Sequence, residues 1–201
     1  MKFFQLFLTI SLAANFVVSQ AQSTGAKGDS IKVYRSVEAA MENPEKVFRL
    51  DLSKQKLKEI DPRIFTLKNL RELKLDRNKI REVPDDITKL KNLKTLDLEH
   101  NKLNKFNPKL CDLSKLEELN LGDNDLDSIP DQIGELSELK VLILWGNVIG
   151  YFPPTLSRLE KLQRLDLLHN EMSFKEQEMI RTFLPDTEIN FSLPCNCEFE
   201  N

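Results

Sequence analysis

The sequence predicts an α/β solenoid with a parallel concave β-sheet, an irregular or short-helical convex side and a cap at each end, and three observations predict it. Asparagine recurs at Asn78, Asn101, Asn124, Asn147 and Asn170, each 23 residues from the next, and Gln55 holds the corresponding place in the first copy. Two leucine columns keep the same step: Leu50, Leu73, Leu96, Leu119, Leu142 and Leu165 in one, and Leu52, Leu75, Leu98, Leu121, Leu144 and Leu167 in the other. No insertion breaks the register through six copies. Self-similarity at this period means that one unit cannot bury its own apolar face, so stacking the units builds the core.

The chain opens with Lys2, an apolar run from Phe3 to Val18 and then Ser19-Gln20-Ala21. A positive start, an apolar centre too short for a comfortable membrane span and small residues before a cut after Ala21 predict a signal peptide over residues 1–21. No cysteine stands just after the run, which argues against a lipid anchor. Residues 22–35 include a polar, Gly-containing stretch and are expected to be a flexible leader. The repeat domain is expected over residues 36–191. Ser36 is the expected N-cap of a short helix, SVEAAMEN, stopped by Pro44, whose Val37, Ala40 and Met41 cover the first repeat as a cap over residues 36–46.

Within each of the six repeats of residues 47–172, L-x-L alternates its side chains, so Leu73 and Leu75 point inward while Glu72, Lys74 and Asp76 point outward. That pattern is a short strand. The asparagine that follows is placed to bond the backbone where the chain leaves the strand, and stacked copies form a structural ladder. Wider apolar spacing, as in Ile80, Val83, Ile87, Leu90 and Leu93, returns the chain along the convex side. After Met172, Ser173 and Glu176 form a capping box for a helix FKEQEMIRTF, with Phe174, Met179, Ile180 and Phe183 expected against the last repeat. Thr187 to Phe191 is expected as a strand pairing with the open sheet edge, which completes a cap over residues 173–191. Residues 192–201 are the tail.

The unit L-x-x-L-x-L-x-x-N-x-L-x-x-I-P-x-x-I-x-x-L resembles the leucine-rich repeat family. The isoleucine-proline half, as in Ile129-Pro130 and its variant Phe152-Pro153, resembles the 23-residue subclass of Ras-group scaffolds and of exported bacterial repeat proteins. The resemblance implies a non-catalytic binding module, and the helix-then-strand ending is similar to that of the exported bacterial members.

Net charge is −3, with both signs mixed at 30% charged residues, which leaves no nucleic-acid footprint. Of three cysteines, Cys111 is expected as a small buried filler, and Cys195 and Cys197 lack the spacing and the histidine pair of a zinc site. Asp123, Asn124, Asp125 and Asp127 superficially resemble a calcium loop but lack its glycine and glutamate. No nucleophile, base and orienter fall together and no phosphate loop is present, so no catalytic residue, metal or cofactor is expected.

Function therefore falls to the outward strand positions. The column before the first strand leucine reads Arg49, Glu72, Thr95, Glu118, Val141 and Arg164; the column after it reads Asp51, Lys74, Asp97, Asn120, Ile143 and Asp166. A third reads Ser53, Asp76, Glu99, Gly122, Trp145 and Leu168. The fifth repeat is the exception in all three. Val141, Ile143 and Trp145, with Arg164, Asp166, Leu168 and His169 beside them, are the expected partner-binding residues, because contiguous exposed apolar surface with a polar rim marks an interface. The alternative is that Trp145 folds over the strand and is covered by the tail around Phe199. His100 and His169, on the rim, are expected to be solvated. The expected protein is a monomeric, secreted or periplasmic binder of a protein or peptide. A cytosolic scaffold resembling the Ras-group proteins, with a misread leader, and a structural or adhesive envelope component are the alternatives.

Overall fold

The computed structural model describes residues 31–193. Eight short strands form one parallel sheet in chain order: β1 (Val33–Tyr34), β2 (Arg49–Asp51), β3 (Glu72–Lys74), β4 (Thr95–Asp97), β5 (Glu118–Asn120), β6 (Val141–Ile143), β7 (Arg164–Leu167) and β8 (Glu188–Phe191). From β2 to β7 the pairing puts each residue opposite the one 23 later, as in Leu50 against Leu73 and Leu142 against Leu165. Both leucine columns are buried along their whole length. The convex return is a 3-10 helical turn in every repeat from Pro62–Thr66 to Pro154–Arg158, each seating an isoleucine or leucine such as Ile64, Ile87 or Leu156 in the core. The architecture is a repeat solenoid with one continuous core.

The asparagine ladder closes the backbone accounts of the stack. Each Nδ2 donates to the carbonyl of the inner leucine of its own repeat and to that of the repeat before, at 2.8–3.2 Å. Each Oδ1 accepts a backbone N–H of the preceding repeat, as Asn124 does from Leu103 and Asn147 from Leu126, both at 3.0 Å. Two of these three bonds tie each repeat to the one before it where the strand ends, and the groups involved are not left dry and unpaired. Asn124 is thereby committed to backbone and is not part of an ion loop.

At the N-terminal end, α1 (Val37–Met41) begins at Ser36, whose Oγ accepts the Ala39 N–H at 3.2 Å, and buries Val37 and Ala40. The flexible leader expected up to Arg35 ends sooner. Val33 and Tyr34 pair in parallel with Arg49 and Leu50, and the Tyr34 ring joins the core. Two residues are too few to show an alternation in sequence. At the other end, α2 (Phe174–Phe183) carries the expected capping box, with Ser173 and Glu176 bonded both ways. One expectation here fails: Phe174 is exposed, because the first position of the helix turns away from the repeat, while Ile180 and Gln177 face inward. Gln177 donates to the Ser192 carbonyl at 3.1 Å and fixes the exit of β8.

Candidate functional site

The three outward columns differ in exposure. The residue after the first strand leucine has a structural duty wherever it is Asp or Asn: its Oδ1 accepts the N–H two residues on, for Asp51 from Ser53, Asp97 from Glu99 and Asn120 from Gly122, all at 3.1 Å. Asp166 does the same with Leu168 at 3.3 Å, and its other oxygen accepts from Arg164 Nη2 at 3.2 Å and Asn190 Nδ2 at 3.5 Å. Asp166 is thus 6% exposed and works as a turn clasp. Its expected place among the exposed contact residues is corrected accordingly.

Ile143 is corrected in the same way. It replaces an acceptor with a branched hydrocarbon, lies in the sheet between Asn120 and Asp166, and is only 7% exposed. The middle column is hemmed in by strands about 4.8 Å away on each side, so a bulky apolar residue there is covered by its neighbours. Val141, Trp145, Arg164 and Leu168 remain partly open, and His169 is exposed. The apolar surface of repeat five is therefore narrower than the sequence implies and centres on Trp145.

Trp145 lies across the preceding repeat. A Cβ added to Gly122 would come within 2.6 Å of Trp145 Cδ1, so the indole occupies the space that a side chain would take there. Its other neighbour is His100, whose ring meets it edge-on, with centroids 5.5 Å apart and planes at 84°. Nδ1 of His100 in turn pairs with Asp123 Oδ2. His100, Asp123 and Trp145 thus form a diagonal across three repeats, and His100 is not the solvated rim residue expected. The tail residues around Phe199, named as an alternative cover for the indole, lie outside the described residues, as do Cys195 and Cys197.

Sequence reasoning missed this cluster because His100 and Asp123 sit at a backbone corner. Lys54, Arg77, His100, Asp123, Gly146 and His169, one per repeat, all have φ between 50° and 64°. Only one is glycine, so the column does not announce itself. A usable signal did exist: Gly122 stands directly before Trp145 in the same column.

Towards the N-terminal side of the indole the same face is acidic. Ser53 Oγ bridges Asp51 and Asp76, and Asp97 and Glu99 follow in the next repeat. Burial pushes the Asp97 carboxyl up to about 6; the charges of Asp76 and Glu99 add to this, against the opposing Glu99 N–H bond and Lys74. Glu117, by contrast, is matched: it lies 2.5 Å from Lys94 Nζ and 2.6 Å from Lys140 Nζ, which holds its carboxyl below the usual range. On the convex side, Cys111 is buried, and burial raises its thiol to about 12, so it is an inert core filler. Val148, Tyr151 and Phe174 are also exposed. Among the described residues, no helix is long and apolar enough to cross a membrane.

The family model for the leucine-rich repeat region matches residues 46–184. The chain belongs to the leucine-rich repeat family. Among solved structures, a leucine-rich repeat protein of Leptospira interrogans is 31% identical with a TM-score of 0.69, over 81% of this chain and 47% of its own. The plant peptide hormone receptor RGFR1, solved in complex with RGF2, is 26% identical with a TM-score of 0.54, over 62% of this chain and 20% of its own. An internalin of Listeria monocytogenes, 21% identical with a TM-score of 0.65 over 79% of this chain and 46% of its own, shares the fold. This chain thus spans about half or less of the length of these leucine-rich repeat structures. No curated protein matches it. The leucine-rich repeat fold is that of a protein-binding module.

Proposed function

We propose that this leucine-rich repeat chain is a non-catalytic module that binds a protein or peptide through its concave face at repeat five, outside the cytoplasm. The observation that carries the reading is Trp145: the single tryptophan of the chain stands just after β6, with Gly122 beneath it and His100 beside it, and is still partly open. Aromatic residues held rigidly on an accessible face are the anchors on which interface energy concentrates. The contact set is Trp145, Val141, Leu168, Arg164 and His169, with Ile143 and Asp166 beneath as its floor. That the receptor RGFR1 is seen with RGF2 supports a peptide as one kind of ligand for this fold. Export rests on Lys2, the apolar run Phe3 to Val18 and Ser19-Gln20-Ala21.

The test is affinity capture from the native compartment with the folded chain, followed by titration of each captured partner against Trp145→Ala. A loss of about 2 kcal/mol or more is expected, with Lys89→Ala, on the convex turn Asp85–Lys89, changing binding by a few tenths. Equal binding by both variants would place the partner elsewhere. Mass spectrometry of the mature N-terminus from the native host tests export; a retained leader would favour the cytosolic scaffold.

A further inference from the structure

We infer that the concave site takes an extended peptide segment carrying a basic side chain about three residues from a large apolar one, the cation over Asp76, Asp97 and Glu99 and the apolar group on Trp145. The inference rests on the proposed concave-face reading and adds the chemistry of the partner. Its first support is charge. Three carboxylates from β3, β4 and the turns that follow them share one stretch of the face, and the cations that meet them are few. Lys74 acts on Asp97 but also faces Glu72 at 3.5 Å; Arg77 Nε lies 3.8 Å from Asp76, and His100 Nε2 lies 3.9 Å from Glu99. Arg49 is taken by Glu72. Asp97 makes no ion pair with a cation among the described residues, and burial holds its carboxyl up at about 6. A guanidinium or ammonium would supply one.

The second support is continuity. Because residue 122 is glycine and the indole leans over it, no side chain separates Glu99 from Trp145 along the column. Acidic and aromatic surfaces therefore adjoin. From the β4 column to the β6 column is two strand spacings, about 10 Å, and an extended chain crossing the strands covers about 3.3 Å per residue. That sets the separation of the two side chains.

The experiment selects random linear peptides displayed on phage against the folded full chain near neutral pH. Enriched sequences are expected to carry Arg or Lys three residues from Trp, Phe or Leu. Trp145→Ala and the triple variant Asp76→Asn, Asp97→Asn, Glu99→Gln should each weaken the enriched peptides by about tenfold or more. Asparagine at position 97 keeps the turn acceptor, as Asn120 does one repeat later at 3.1 Å. Should the triple variant not fold, Glu99→Gln alone, expected to weaken binding several-fold, decides the point. Enriched peptides without basic residues, or with unchanged affinity for the neutralised variant, overturn the cation while leaving the concave site standing. Peptides indifferent to Trp145→Ala, or a selection that enriches nothing, count against both.

Discussion

The charge left uncompensated on the concave face has a cost that can be measured without any ligand. Asp97 is half-buried, and its carboxyl rises from an ordinary value of 3.8 to about 6 in the folded protein. At about 1.4 kcal/mol per tenfold, that rise corresponds to roughly 3 kcal/mol against the ionised form, and solvent in the groove screens part of it, so about 1–2 kcal/mol is expected. The sign follows from proton counting. Between about pH 4 and 6 the folded state holds the Asp97 proton and the unfolded state has lost it, so stability falls as pH rises through that window; above it the full cost is present, and below it there is none. Asp97→Asn removes the charge and keeps the oxygen that accepts the Glu99 N–H at 3.1 Å.

The variant should therefore be more stable than the natural protein by about 1–2 kcal/mol near pH 7.5 and equal to it near pH 4. Urea melts of both proteins at the two pH values read this directly, since titrating groups not coupled to Asp97, unlike Asp76 and Glu99, cancel in the difference. A gain that is the same at both pH values, or a loss at pH 7.5, would refute the electrostatic account of the acidic stripe.

Three further outcomes follow from the packing. Leu121→Ala, at a site 1% exposed in a central repeat, should cost about 2–5 kcal/mol in urea melts, and a change below about 0.5 kcal/mol would contradict the enclosed inner column. Asn147→Ala strips the Leu121 and Leu144 carbonyls and the Leu126 N–H of their partner and should cost about 3 kcal/mol or more, with loss of hydrogen-exchange protection confined first to repeats four to six. Gly122→Ala forces the indole off its seat, so the emission maximum of the single tryptophan should move to longer wavelength; an unmoved spectrum would show that Trp145 does not rest on Gly122.

The fold was legible in the sequence because it is repeated six times with the same physical constraint. A leucine at every inner position and an amide at every strand exit are the only ways to fill the core and satisfy the corner at each step, so identity is conserved down the column within the one chain. The left-handed corner was not legible for the opposite reason. Its conformation costs of order 1 kcal/mol for a non-glycine residue, which the surrounding ladder bonds override, so Lys, Arg, His and Asp all occupy it. The two-residue strand β1 and the outward Phe174 were likewise set by packing at the ends of the stack, where the period gives no guidance.

The candidate site was half legible, and the division falls between identity and burial. That repeat five departs from its fellows is plain from Val141, Ile143 and Trp145, but which of them meets solvent depends on the side chains one strand away. Asp166 looked like a contact and is a clasp, since an acid or amide oxygen two residues before an N–H closes on it in four of the six repeats. Where Ile143 stands in place of such an acceptor, the clasp is absent and its oxygen is replaced by hydrocarbon two residues before the tryptophan. Ile143 brings no charge to repeat five, while Asp97 and Glu99 stand two repeats away and Asp76 three. Repeat five thus becomes the apolar end of a face whose other end stays negative, and that polarity along the stack is what an oriented ligand would read.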